Sequence, residues 1–193
     1  MFTAFLDTCV LWPSTQRDFL LSLAIEGMYR PTWSSAILLE LEICETTKLT
    51  RKIGVDAGEA ESRAKHLVEQ MRTAFDDAEV VGWEGLEGTY GLPDPDDEHV
   101  LAAAVVGGAA AIVTSNLRDF PKAKMPHGLE VLSPAKFALT TVSLKPELAW
   151  EAVRQMAARS GKNGPVRTAD QVLAILADRY AMTGAVDLLR GFS

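Results

Sequence analysis

The chain has 193 residues, of which 48% are hydrophobic and 23% charged, a balance that suits one globular domain with a small appendage and excludes a disordered or fibrous chain. Its formal net charge of −7 excludes a protein that coats nucleic acid through overall charge. An acidic chain that handles phosphate needs a local basic patch or bound cations. The longest apolar run, 100–113, is broken by glycines and too short to span a bilayer. Asp7 interrupts the N-terminal apolar stretch and no basic segment precedes it, so a cytoplasmic protein without a signal peptide is expected.

The first element, "TAFL", reads as a short buried strand over Thr3–Leu6 that ends at Asp7. "STQRDFLLSLAIEG" has helical periodicity, with Phe19, Leu20, Leu23 and Ile25 inward, Ser14 or Thr15 as cap and Gly27 at the end. "YRPTW" is a second extended piece. "SSAILLELEICETTKL" reads as a helix with serine caps that buries Ile37, Leu38, Leu41 and Cys44. A longer amphipathic helix follows in "VDAGEAESRAKHLVEQMRTAF", then a strand from Glu79 to Trp83.

"LPDPDD" is loop chemistry that ends at a helix N-terminus, and "EHVLAAAVVGG" is a helix closed by Gly107 and Gly108. "AAIVTS" is a continuous apolar strand, as expected where both faces of a sheet are covered. "LEVLSPAKFAL" supplies one more strand and a helix capped by Ser133, with Pro134 at its first position. Alternating strands and helices over residues 1–140 predict an α/β/α sandwich with a central parallel sheet. Residues 141–193 hold no strand signal and read as a helical extension. There Thr168 and Gln171 form a capping box, and Gly184 ends one helix before a short last one.

Several chemistries fall away. Cys9 and Cys44 form no disulfide framework, and His66, His99 and His127 sit in no paired zinc motif. "GGAAA" lacks the lysine of a phosphate-binding loop.

What remains is a set of acids. Ligands of an open α/β sheet bind outside the carboxyl ends of its strands. Asp7 ends the first strand, Asp97 opens a helix beyond a strand and loop, and Asn116 and Asp119 follow "AAIVTS". Glu40 lies on a helix able to face the same edge, and Glu42, two residues on, projects about 200° away. Such oxygens suit Mg²⁺ or Mn²⁺, which takes one or two carboxylates and keeps several waters. Read singly, Asp97 is a helix N-cap, and Asp94 and Asp96 are capping or rim residues. Asp7 is harder to dismiss, because an acid beside a core strand needs a partner.

Four stretches now carry a resemblance: "FLDTCVLWP", "SSAILLELEI", "DPDDEHVLAAA" and "IVTSNLRDF". In this order they resemble the PIN-domain ribonucleases, and in particular the VapC-type toxins, over about 140 residues. The resemblance implies a PIN-like fold and Mg²⁺-dependent cleavage of an RNA phosphodiester, with Asp7 and Asp97 binding the metal. It implies that Glu40 orients or deprotonates the attacking water and that Asn116 or Asp119 completes the shell. Asp94 is then a companion of Asp97, and Thr114 or Ser115 holds a carboxylate or phosphate oxygen. Many relatives carry an aspartate where this chain has Asn116, which implies one held Mg²⁺ and a second that arrives with substrate. Arg51, Lys52, Arg118, Lys122, Lys124, Arg154, Arg159, Lys162 and Arg167 are candidates to steer RNA. The implied partners are the RNA, a cognate antitoxin protein and a second copy of the chain, with no membrane.

Four rival readings stand beside this one. A haloacid-dehalogenase-like phosphatase wants a second aspartate two residues after Asp7, where this chain has Cys9. A metal- or RNA-binding module with impaired catalysis draws on Asn116. A purely protein-binding domain draws on the apolar residues of the helices after Trp12 and Trp33. A housekeeping PIN nuclease would have no antitoxin encoded beside it.

Overall fold

A computed structural model describes residues 2–161 and 165–192. By its internal contacts the chain forms two compact units. One comprises Thr3–Trp12 and Pro31–Val131; the other comprises Met1–Phe2, Pro13–Arg30 and Leu132–Ser193. Contact therefore follows space rather than chain order: a helix from the N-terminal stretch packs with those that follow the sheet.

The first unit carries the sheet. Its strands are β1 (Thr3–Leu6), β2 (Arg30–Ser34), β3 (Glu79–Val80), β4 (Ala111–Val113) and β5 (Glu130–Leu132), in the order β3-β2-β1-β4-β5. β1 pairs in parallel with β4, Phe5 opposite Ile112, and β2 pairs in parallel with β3, Trp33 opposite Glu79. The Thr32 hydroxyl donates to the Ala4 carbonyl at 3.3 Å and the Glu130 amide to the Ala110 carbonyl at 2.9 Å, which carries the sheet across its other neighbours.

From β1 the chain steps outward one way to β2 and β3, then returns past β1 to β4 and β5. Two helices, α1 (Thr8–Leu11) and α2 (Ser14–Ile25), follow β1; right-handed crossovers then put α3 (Ser35–Lys48) and α4 (Ala57–Ala74) on one face and α5 (Glu98–Val106) on the other. The fold is the expected α/β/α sandwich around a parallel sheet, with helices after it. The direction of winding reverses between β1 and β4, and ligands of open α/β sheets bind at the carboxyl ends of the strands beside such a reversal.

Local chemistry explains the elements. The Ser34 hydroxyl accepts from the Ile37 amide and caps α3, and Asp56 accepts from Gly58 and Glu59 and caps α4. α5 is buried from Glu98 through Ala104, so its run of alanines lets neighbouring backbone come close. Gly107 ends α5 against β3, where a Cβ would sit 2.7 Å from Val80 Cγ2. The core of this unit is Phe5, Leu6, Trp33, Ile37, Leu38, Leu41, Ala103, Ile112 and Val113, all buried.

Four sequence expectations need correction. The strand from Glu79 stops at Val80, because Gly82 turns the backbone into the left-handed region at φ 77°. Pro13, not Ser14 or Thr15, occupies the cap position of α2 (Ser14–Ile25), and Ile25 is exposed rather than inward. Ala181, at φ 54°, ends α8 (Ala169–Tyr180), and Gly184 lies inside α9 (Thr183–Arg190).

The second unit packs α2 with α6 (Pro134–Leu144), α7 (Pro146–Arg159), α8 and α9. α7 buries Ala149, Ala152, Val153 and Met156, one stripe at helical spacing. The rings of Tyr29 and Phe137 meet edge-on with centroids 4.8 Å apart. Arg159 on α7 reaches Asp18 at 3.1 Å and Ser22 at 2.8 Å on α2. The Thr168–Gln171 capping box forms as expected. Among the described residues no helix is long and apolar enough to cross a membrane.

Candidate active site

Asp7 leaves the end of β1 as a buried carboxylate and needs donors. It finds two. The Thr114 hydroxyl, from the residue after β4, donates to Asp7 Oδ2 at 2.6 Å, and Cys9 Sγ donates to the same oxygen at 3.0 Å. Thr114 Oγ1 in turn accepts from the Asn116 amide at 3.0 Å, and Cys9 Sγ accepts from the Ser115 amide at 3.1 Å. The ends of β1 and β4 are thus laced together, with both side-chain donors on Oδ2 of Asp7. Burial, and then the charge of Asp7, push the Cys9 thiol up to about 11, so it serves as a neutral donor.

Glu40, on α3, is gripped at both oxygens. The Thr8 hydroxyl donates to Oε2 at 2.6 Å, and His99 Nε2 lies 3.1 Å from Oε1. Burial raises the affinity of Glu40 for a proton, but the bonds from His99 and Thr8 outweigh it and hold the carboxyl below its ordinary range. His99 mirrors this: burial disfavours its charge, and the bond to Glu40 outweighs that and raises it. Its ring is buried beside Trp83, with centroids 6.0 Å apart, and its Nδ1 has no partner. Glu42 takes no part in these bonds.

Asp97 behaves unlike a cap. It stands at the N-terminus of α5 and makes no side-chain capping bond there. Asp94 does the capping, accepting from the Asp96 amide at 3.0 Å across a 3₁₀ turn over Pro95–Asp97. Asp97 is half-buried, and its carboxyl is pushed up to about 6 by burial, then by the negative charges of Asp7, Asp119 and Asp94. The next residue, Glu98, is buried and accepts from the Leu92 amide at 2.7 Å and the Tyr90 amide at 3.1 Å, which fixes the loop before the helix.

Asn116 and Asp119 bracket an exposed 3₁₀ turn over Leu117–Asp119, where the Asp119 amide donates to the Asn116 carbonyl at 3.1 Å. The Asn116 side chain caps nothing. Ser115 is exposed and contributes its amide rather than its hydroxyl. Asp7, Asp119 and Asp94 thus all act electrostatically on Asp97, and His99, paired with Glu40, acts on it in the opposite sense.

Among the described residues no three His, Cys, Asp or Glu side chains stand as a ready-made metal cage. The donor chemistry nevertheless fits a hard cation. Mg²⁺ needs only one or two carboxylates, and Asp97 carries a repulsion that a cation would relieve.

The basic candidates divide. Arg118, Lys122 and Lys124 are exposed along the segment that follows Asn116. Lys52 lies 5.2 Å above the Trp12 ring, and Arg51 is exposed beside it. In the second unit Arg154 pairs with Glu151 and Arg159 with Asp18. Lys162 lies outside the described residues.

Sequence reasoning missed Thr8, His99 and the second role of Cys9. The adjacency of Thr8 and Cys9 to Asp7 was a usable signal; nothing local marks His99.

A family model described as PIN domain matches residues 3–118. No curated protein and no solved structure matches the chain. The matched segment is more than half of the 193 residues; it takes in Asp7, Glu40, Asp97, Thr114 and Asn116 and stops one residue short of Asp119. The chain belongs to the PIN-domain family.

Proposed function

We propose that the protein is a metal-dependent endoribonuclease of the cytoplasm, and that it acts as the toxin of a type II toxin–antitoxin pair of the VapC type. The observation that carries this reading is Asp97, a carboxyl that caps nothing and is lifted to about 6 by burial and by Asp7, Asp119 and Asp94. A charge cluster of this kind is costly to fold and is kept where a cation or a reaction uses it.

Asp7 and Asp97 would hold Mg²⁺, or Mn²⁺ in its place. When bound, the ion supplies positive charge at the scissile phosphodiester. Thr114 and Cys9 keep the Asp7 carboxylate aimed from β1. Glu40, held at both oxygens and below its ordinary proton affinity, suits the task of orienting the attacking water more than that of storing its proton. Asn116 offers an uncharged amide to a phosphate oxygen, with Asp119 beside it. Arg118, Lys122 and Lys124 supply contacts to the RNA backbone, with Arg51 and Lys52 as further candidates. Ser115 can add its hydroxyl to a phosphate oxygen.

Expression of the chain alone should arrest growth and leave new RNA ends. A small protein encoded beside it should relieve the arrest, and Asp97→Asn should abolish it. Absence of both arrest and cleavage would count against the toxin role. A second reading rests on Asn116: without a fourth acid the domain binds RNA or protein and cuts poorly. Retained RNA binding with no cleavage in Mg²⁺ would favour it.

A further inference from the structure

We infer that His99 is a positioning residue of the site, holding Glu40 through Nε2–H in the geometry the reaction uses; the inference rests on the reading of Glu40 as the acid that orients the attacking water. Glu40 sits on α3, and 44% of its side chain is exposed. A glutamate there has several rotamers open to it. Two donors from distant parts of the chain remove that freedom. Thr8, beside β1, takes Oε2, and His99, from α5, takes Oε1. Each carboxylate oxygen keeps a second lone pair, so the grip fixes Glu40 without consuming its capacity to accept from water.

The way His99 is satisfied points to this use. Its side chain is 10% exposed, its ring lies against Trp83, and Nδ1 has no partner. A histidine kept only for packing would have both nitrogens served or replaced by carbon. Here the single hydrogen bond of the ring goes to the half-exposed acid. Nε2 carries a proton both in the charged ring and in the matching neutral tautomer, so the contact does not depend on the charge. His99 lies one half-turn along α5 from Asp97, so the same rigid helix sets the positions of Asp97 and, through His99, of Glu40.

The test uses the full-length protein and two substitutions. His99→Phe keeps a ring against Trp83 and removes both nitrogens; His99→Gln keeps an amide donor near the place of Nε2. With an RNA oligonucleotide in Mg²⁺, His99→Phe should lower kcat about 10- to 100-fold at unchanged KM, and His99→Gln should recover most of the loss. Equal kcat for wild type and His99→Phe would overturn the positioning role. A second readout needs no activity: the thermal shifts of His99→Phe and Glu40→Ala should fail to add in the double variant. Additive shifts would overturn the contact whatever the RNA result. A wild-type protein that cuts no RNA, with non-additive melts, would instead bring down the ribonuclease reading and leave the His99–Glu40 pair standing.

Discussion

The Thr114 hydroxyl donates to Asp7 Oδ2 across 2.6 Å, joining residues 107 positions apart at the carboxyl ends of neighbouring parallel strands. This bond sits at the point where the winding of the sheet reverses, and it ties the Asp7 carboxylate to the end of the neighbouring strand. Thr114 is fully buried and also receives the Asn116 amide, so the hydroxyl works as donor and acceptor at once.

Thr114→Val keeps the shape and removes both bonds. Asp7 then loses its strongest donor and the Asn116 amide its acceptor. The expected loss is about 1–3 kcal/mol of stability, from polar groups left unpaired. Denaturant unfolding of the purified variant measures it, and RNA cleavage should fall in parallel because Asp7 is no longer aimed.

Asp97 should show a trade between stability and function. Its folded carboxyl is raised from 3.8 to about 6, so the fold disfavours the charged form. That penalty is fully present above about pH 6 and is gone below pH 3.8, where the group is protonated folded and unfolded alike. Asp97→Asn should therefore raise the melting temperature of the metal-free protein at pH 8. The gain should shrink through pH 6 and vanish near pH 4. Mg²⁺ should raise the melting temperature of wild type at pH 8 and leave Asp97→Asn nearly unmoved.

Glu98 should behave the opposite way. It is buried and held below the ordinary carboxylate range: burial raises it, but the amides of Leu92 and Tyr90 outweigh that. A lowered group adds stability that is present above its unfolded value and is lost as pH falls through its folded one. Glu98→Ala removes two charge-assisted bonds and should cost about 3 kcal/mol at neutral pH. Hydrogen exchange at Tyr90 and Leu92 should speed up in the variant, which separates loss of the loop anchor from general loosening.

Cys9 should be a poor nucleophile in the native protein. With its thiol at about 11 in place of 9.0, the reactive thiolate at pH 8 is about a hundredfold scarcer than for an unperturbed cysteine. Iodoacetamide at pH 8 should leave Cys9 unmodified for far longer in the folded protein than in urea, as peptide mass mapping would show.

The sandwich was legible because the pattern that builds it is local. Short strands of two to five residues alternate with helices that carry their own caps, as Ser34, Asp56, Ser133 and Thr168 do. The placement of Asp7, Asp97 and Asn116 was legible for a related reason: each follows a strand or opens a helix, where topology alone predicts an edge. The contacts that organise them were not. Thr8 meets Glu40 across 32 positions and Cys9 meets Thr114 across 105, and no local pattern encodes such a meeting. His99 sits in no paired motif that would mark it. Capping falls to Asp94, one of the two residues expected to cap, because Pro95 starts a 3₁₀ turn three residues earlier than the helix proper. The short β3 and the exposed Ile25 were misread because one glycine turn and one helix end override periodicity.

The central claim is that the acids around Asp7 and Asp97 make this PIN domain a metal-dependent ribonuclease. The most direct measurement is cleavage of a labelled single-stranded RNA by the purified chain in Mg²⁺, beside EDTA and beside Asp7→Asn and Asp97→Asn. The account predicts cleavage in Mg²⁺ that EDTA abolishes and that both substitutions reduce at least about a hundredfold. Cleavage that persists in EDTA, or that survives both substitutions, would contradict it.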